Sequence, residues 1–131
     1  ILRMLRRNVL AQLIDTAVEQ GLFVLLEAFD EQDIELAESL VTERAAAKQQ
    51  LLVGVNCRDL VTLQVVPGRL EALAPRLPAN ILRVAESGVT TESDAARMAA
   101  CGYDLALVGS ALMTHANPAA LLANMLAAAR R

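Results

Sequence analysis

Lysine, aromatic rings, cysteine and histidine are all scarce in this sequence. Three of the 131 residues are aromatic, none is Trp, and the formal charge is −3. A general nucleic-acid binder needs a basic field or a stacking platform, so that class is excluded. Two cysteines, Cys57 and Cys101, are too few for a disulfide framework and lack metal-ligand spacing. They read as ordinary reduced thiols of a cytoplasmic protein, and no metal is expected. No apolar run reaches the ~18 residues of a membrane span. No signal peptide is recognisable and the first residue is Ile1, so the chain is expected to begin inside a longer natural protein. Of the 12 basic residues, Lys48 alone is lysine and the rest are arginine.

What is present is apolar: 55% of the chain is hydrophobic, which excludes disorder. The length suits one domain and leaves no room for two. Four short runs, Phe23 to Phe29, Leu51 to Val55, Ile81 to Ala85 and Leu105 to Val108, are nearly all apolar rather than alternating. That is the pattern of parallel strands covered on both faces. Helical stretches lie between them. Gln32 to Ala47 has apolar residues at helical spacing, with Asp30 as its cap. Thr91 opens Glu92 to Cys101 with Asp94 as capping-box partner, and Gly102 sits at the stop. Asn117 and Pro118 precede a last helix, Ala119 to Arg130, and the Arg130-Arg131 end supplies helix-terminal charge. An opening helix runs from about Asn8 to Gln20 and closes at Gly21. A shorter one spans Gly68 to Arg76, while Ile1 to Arg7 is ambiguous between strand end and helix.

The order is helix, then strand–helix four times. Such a series builds an open doubly wound sheet or part of a (βα)₈ barrel. No Gly-x-Gly-x-x-Gly follows a strand, so a dinucleotide site has no support.

In both architectures sites form at the carboxyl ends of the strands, and the polar residues cluster there. Glu27 interrupts the first run; an unpaired buried carboxylate is costly, so it faces a polar cavity or pairs with Arg58. The second run ends in Asn56, able to donate and accept, and Arg58, a fork for a carboxylate or phosphate. The plainer alternative there is an Asp59 turn cap and a solvated Arg58. The third and fourth runs exit through Glu86-Ser87-Gly88 and Gly109-Ser110, where small residues admit a close ligand or merely shape two turns. Ser110 to Thr114 is a candidate short helix whose first amides would face an anion. His115 reads as a surface loop residue, Tyr103 as a packing residue, and Met4, Met98, Met113 and Met125 as fillers of helix faces.

Leu-Leu-Glu27-Ala-Phe, Gly54-Val55-Asn56-Cys57-Arg58-Asp59-Leu60, Ala85-Glu86-Ser87-Gly88-Val89 and Leu107-Val108-Gly109-Ser110-Ala111-Leu112-Met113 together resemble indole-3-glycerol-phosphate synthase, clearly over about Gly21 to Ala120. The resemblance implies a TIM-barrel (βα)₈ fold of class α/β. Residues 1–131 would be the C-terminal half of a single barrel domain, a half barrel of four parallel strand–helix units. It further implies a lyase of tryptophan biosynthesis that closes the ring of 1-(2-carboxyphenylamino)-1-deoxyribulose 5-phosphate with loss of carbon dioxide and water, with no cofactor. Glu27 would be the general base, Asn56 would hold the substrate near its reacting groups, and Glu86 and Ser87 would line the catalytic site. Arg58, Ser87, Gly88, Gly109 and Ser110 would bind substrate, the last four around its phosphate.

The resemblance also places the family's acids, lysines and a glutamate, on earlier strands. Lys48 precedes the second strand and belongs to the opposite end of the sheet from Glu27, and arginine hardly gives up its proton. The chain by itself is therefore expected to be inactive. The partners implied are a sugar-phosphate substrate and a missing N-terminal half of the barrel, or self-association through open strand edges, with no nucleic acid and no membrane. Two alternatives stay open: another phosphate-binding barrel enzyme, of the phosphoribosylanthranilate isomerase or thiamin-phosphate synthase type, and a non-catalytic half-barrel assembly module.

Overall fold

A computed structural model describes residues 1–130. After a 3₁₀ turn at Leu2–Met4 come α1 (Arg7–Glu19), β1 (Val24–Ala28), α2 (Glu31–Thr42), β2 (Leu51–Asn56), α3 (Arg69–Leu73), β3 (Leu82–Glu86), α4 (Glu92–Ala100), β4 (Leu105–Leu107), α5 (Ser110–Thr114) and α6 (Pro118–Ala128). The strands form one parallel sheet in the order β1-β2-β3-β4. Sequential parallel order with a helix after every strand is the arrangement of a half barrel.

The two faces of this sheet differ, which corrects the expectation of strands covered on both sides. Leu26, Ala28, Val53, Val55 and Ala85 face the helices and are at most 4% exposed. The alternate positions form the inner face, where Leu82, Leu105 and Leu107 are 48%, 46% and 52% exposed. A continuous apolar run therefore encodes both a covered outer face and an inner face that the chain itself leaves open. α6 carries the same surplus: Leu121 and Met125 are buried, but Leu122 and Leu126 are exposed.

Local chemistry accounts for most element ends. The Asp30 carboxylate accepts the Asp33 N–H at 3.0 Å and caps α2. Thr91 and Asp94 form the capping box of α4, and Asn117 caps α6 by accepting the Ala120 N–H at 3.1 Å. Gly21 and Gly102 adopt the left-handed backbone that ends a helix, with φ of +70° and +94°. Several boundaries are shorter than expected. The strand at Phe23 to Phe29 is trimmed to Val24–Ala28, because Phe23 lies out in solvent. The long helix to Ala47 stops at Thr42 and resumes as a 3₁₀ segment, Ala45–Gln50, whose residues are not buried. The helix from Gly68 turns 3₁₀ at Ala74–Arg76, where Pro75 supplies no N–H. The last helix ends at Ala128 rather than Arg130, and Arg131 lies outside the described residues.

Arginines tie the helices and the opening turn together. Arg3 donates through Nε to the buried Asp33 carboxylate at 2.9 Å and lies over the Phe29 ring. Arg44 joins α2 to α1 through Asp15 at 2.6 Å, and Arg97 joins α4 to α3 through Glu71 at 2.8 Å. Tyr103 is buried, as a packing residue should be, and its hydroxyl donates to the Leu70 carbonyl at 2.8 Å. Met98 and Met125 fill the core, but Met4 and Met113 are 68% and 88% exposed and fill nothing in this chain.

Candidate active site

The carboxyl ends of β1, β2 and β3 bring three polar side chains onto the inner face. Register explains the grouping. Glu27 pairs with Gly54, and Asn56 pairs with Glu86, so all four lie on one side of the pleat. Asn56 links the first two strands: its Nδ2 donates to Glu27 Oε1 at 2.6 Å, while its Oδ1 accepts the Arg58 N–H at 2.8 Å. Both ends of the amide are engaged, which fixes its rotamer and presents Glu27 as a hydrogen-bonded carboxylate.

The expected alternative, a Glu27–Arg58 ion pair, does not form. The Arg58 guanidinium instead donates to the Leu63 carbonyl at 2.6 Å. It does so because residues 57–66 fold into a small hairpin, with Arg58 bridged to Val65 and the Val66 N–H donating to the Cys57 carbonyl at 2.7 Å. Asp59 is the turn cap foreseen for it, accepting from the N–H groups of Val61 and Thr62 at 2.9 and 2.8 Å. Arg58 is nevertheless half-buried and lines the same cleft as Glu86.

Glu86 is the unusual group. It is 5% exposed, and its Oε1 has no hydrogen-bond partner among the described residues. Burial, reinforced by the Glu27 carboxylate, pushes its carboxyl up to about 7. A carboxylic acid with that affinity holds or releases a proton near neutral pH.

Beyond Glu86 the sheet opens into a cleft of about 660 Å³, lined by Arg58, Glu86, Ser87, Gly88, Gly109 and Ser110 among others. Five of the sequence-predicted positions thus sit around one cavity with Arg58 at its rim. Ser87 has a left-handed backbone, φ +65°, which is strained for a residue with a side chain and is typical of functional turns. Gly88 follows at φ +72°, where a Cβ would come within 2.7 Å of Cys57 Sγ. α5 begins at Ser110, so its first N–H groups, which have no acceptor inside the helix, lie at this cleft.

Sequence reasoning missed three contributors. Gly54 lies beneath the Glu86 carboxyl, Arg69 donates to the Asn56 carbonyl at 3.2 Å, and Leu107 closes one side of the cleft. A glycine inside an apolar strand was the available signal for the first. Lys48 sits at the other end of the sheet, lining a separate cleft with Leu51, Ile81 and Leu82. His115 lies in an exposed loop, its Nδ1 accepting the Asn117 N–H at 3.0 Å. Among the described residues no group of three His, Cys, Asp or Glu side chains is placed to hold a metal. No helix among them is long and apolar enough to cross a membrane.

The family model described as Indole-3-glycerol phosphate synthase matches residues 1–125. The chain belongs to the indole-3-glycerol phosphate synthase family. Relatives of that name include proteins of Mycobacterium tuberculosis, 36% identical over 128 residues, and Streptomyces coelicolor, 39% identical over 128 residues. Each alignment covers 98% of this chain but only 44% and 45% of the relative. The indole-3-glycerol phosphate synthase of Micrococcus luteus is 43% identical over 98 residues, 75% of this chain and 34% of its own. The chain thus spans less than half the length of the curated relatives it matches. Its four strand–helix units are an α/β half barrel consistent with the TIM-barrel fold of the family.

Proposed function

We propose that this chain carries the base and phosphate-binding side of an indole-3-glycerol phosphate synthase active site, with residues 1–131 forming half of one barrel domain. The observation that supports this best is the meeting of Glu27, Asn56 and Glu86 on one face, next to a cleft framed by small residues. In this reading the substrate's phosphate sits against Ser87, Gly88, Gly109 and Ser110, within reach of the first amides of α5. Arg58 steadies the substrate from the rim, and Asn56 holds Glu27 toward the reacting ring.

The reaction needs a proton delivered to the ketone oxygen as the aromatic carbon attacks, loss of carbon dioxide, then removal of a proton as water leaves. Glu27 accepts a proton, and Glu86, poised near neutrality, serves either direction. The acid opposite them is not among these strands. The open inner face, with its exposed Leu82, Leu105 and Leu107, is where the remaining strands of a parent barrel would pack; in their absence a second copy would pair the free edges of β1 and β4.

Turnover of the anthranilate-containing ribulose phosphate tests this reading. The chain alone should give none, and adding the N-terminal half of a relative should restore indoleglycerol phosphate formation. Turnover by the isolated chain would sink the claim that the acid lies elsewhere. Equal affinity for that substrate and for simple sugar phosphates would favour a generic phosphate-binding barrel. Sedimentation should find a dimer or larger species for the chain alone, and a clean monomer would count against the open edges pairing.

A further inference from the structure

The Glu86 side chain does not rise straight from β3. It leans across the inner face onto β2, and the residue beneath its carboxyl is Gly54. A Cβ built on Gly54 would stand 2.0 Å from Glu86 Oε1, a separation real atoms never show, with Glu86 Cδ at 3.0 Å and Leu25 Cδ1 at 3.1 Å tight beside it. Gly54 pairs in register with Glu27 on one side and with Val84 on the other. The glycine therefore leaves a gap in β2 between the carboxylate of β1 and that of β3. No turn requires it, since Gly54 lies inside a strand and has no left-handed backbone. Glycine weakens a strand interior, so its presence there calls for a close approach, and the Glu86 carboxyl is that approach.

We propose that Gly54 is a positioning residue for Glu86: its missing side chain is the seat of the Glu86 carboxyl and the gap through which that carboxyl faces Glu27. The inference rests on the reading of Glu86 as a site carboxyl only for its catalytic consequence; the seat itself stands on geometry. The charged groups facing Glu86 are few. Glu27 from β1 raises its proton affinity, while β2 brings Asn56 and the loop after it the rim residue Arg58. β4 brings no charge to the cleft, only Ala106 and Leu107. An added methyl at 54 swings the flexible end of Glu86 outward into the cleft, away from its burial.

Two measurements on the chain test the seat. Carboxyl-carbon NMR titration should put the Glu86 midpoint near 7 in the parent chain, and Gly54→Ala should bring it down toward the ordinary 4.5. In urea unfolding at about pH 4, where Glu86 keeps its proton folded or unfolded, Gly54→Ala should lower the midpoint. The same change in a Glu86→Ala background should lower it clearly less, because only Leu25 Cδ1, 3.1 Å from the new Cβ, still crowds it. Should Gly54→Ala alone not fold, recovery of folding in the Glu86→Ala double variant supports the proposal, and failure of both overturns it. An unmoved Glu86 midpoint, or a loss as large in the Glu86→Ala background, overturns it too. A readout in a complete parent enzyme separates the two claims. Gly54→Ala should cut kcat by about tenfold or more with KM little changed, and shift the limb of the pH profile that Glu86 sets. If Glu86→Ala leaves kcat intact while the coupling in the chain holds, the seat is right and the catalytic reading of Glu86 is wrong.

Discussion

Replacing Glu86 with glutamine keeps the side chain's shape and removes its ionisation, so the cost of ionising it inside the site becomes measurable. In the folded chain the carboxyl is held up to about 7, against an ordinary 4.5. Below about pH 4 both folded and unfolded chains carry the proton, and Glu86 makes no pH-dependent contribution. Between 4.5 and about 7 the unfolded chain has released the proton while the folded chain keeps it, so stability falls as pH rises. Above that window the loss is complete. At about 1.4 kcal/mol for each tenfold, the interval comes to about 3 kcal/mol. That is an upper figure, because the carboxylate regains some hydration by turning toward the open cleft. Against a typical total of about 5–15 kcal/mol it is still large.

Urea unfolding of the parent chain and Glu86→Gln, followed by circular dichroism across this range, reads the difference directly. The two midpoints should nearly coincide at about pH 4 and separate toward about pH 8, with glutamine the more stable. For a slope of about 1–3 kcal/mol per molar urea, the separation is about 1–3 M. Other titrating groups contribute to each curve but cancel in the comparison. Curves that stay parallel from acid to alkaline pH would refute the buried, partnerless placement of this carboxyl.

The other expectations concern residues with separate jobs. Asn56→Ala removes the donor to Glu27 and the acceptor of the Arg58 N–H, and should destabilise the chain by about 1–3 kcal/mol in the same unfolding assay. Ser87→Gly relieves a left-handed backbone and should raise the melting temperature, a gain of about 1 kcal/mol, while weakening inorganic phosphate binding measured by calorimetry. Thr91→Ala breaks the capping box of α4 and should cost about 1 kcal/mol with phosphate binding unchanged.

The four strands were legible because apolar runs bounded by caps and glycines mark them, whereas their sequential order came with the resemblance, since the runs alone also fit an open doubly wound sheet. Glu27, Asn56 and Glu86 were legible as polar interruptions of strands at a fixed end. What was not legible depends on contacts between strands. Nothing local says that Asn56 takes Glu27 and that Arg58 turns away to Leu63, because the hairpin at residues 57–66 decides it. The open inner face was hidden for a related reason: Leu82, Leu105 and Leu107 have the composition of a covered face whether or not anything covers them. Helix ends went long at Ala47, where spacing continues past the point where burial stops, and at Arg76, where Pro75 turns the last residues 3₁₀ although Ala74 and Leu77 stay buried.

The division between lysine and arginine acquires a physical sense from the fold. Arg3, Arg44, Arg97 and Arg83 spend their guanidinium groups on ties: three to carboxylates on other elements, and Arg83 to the carbonyls of Leu77 and Pro78. Such forks hold a fold well and transfer protons poorly. The one lysine, Lys48, lies before β2, and Asn56 ends that strand. A strand of this length separates its ends by about 17 Å, well beyond the reach of a lysine side chain. No side chain at the amino ends of these strands can therefore face Glu27 across a substrate. On the proposed reading the acid must descend onto the inner face from opposite the sheet, the side left open around Leu82, Leu105 and Leu107. On that proposal one open face accounts for both the exposed leucines and an acid supplied from elsewhere. Elements that restore activity should bury those leucines as they do so, and a complementing half that restores turnover while leaving them exposed would break that link.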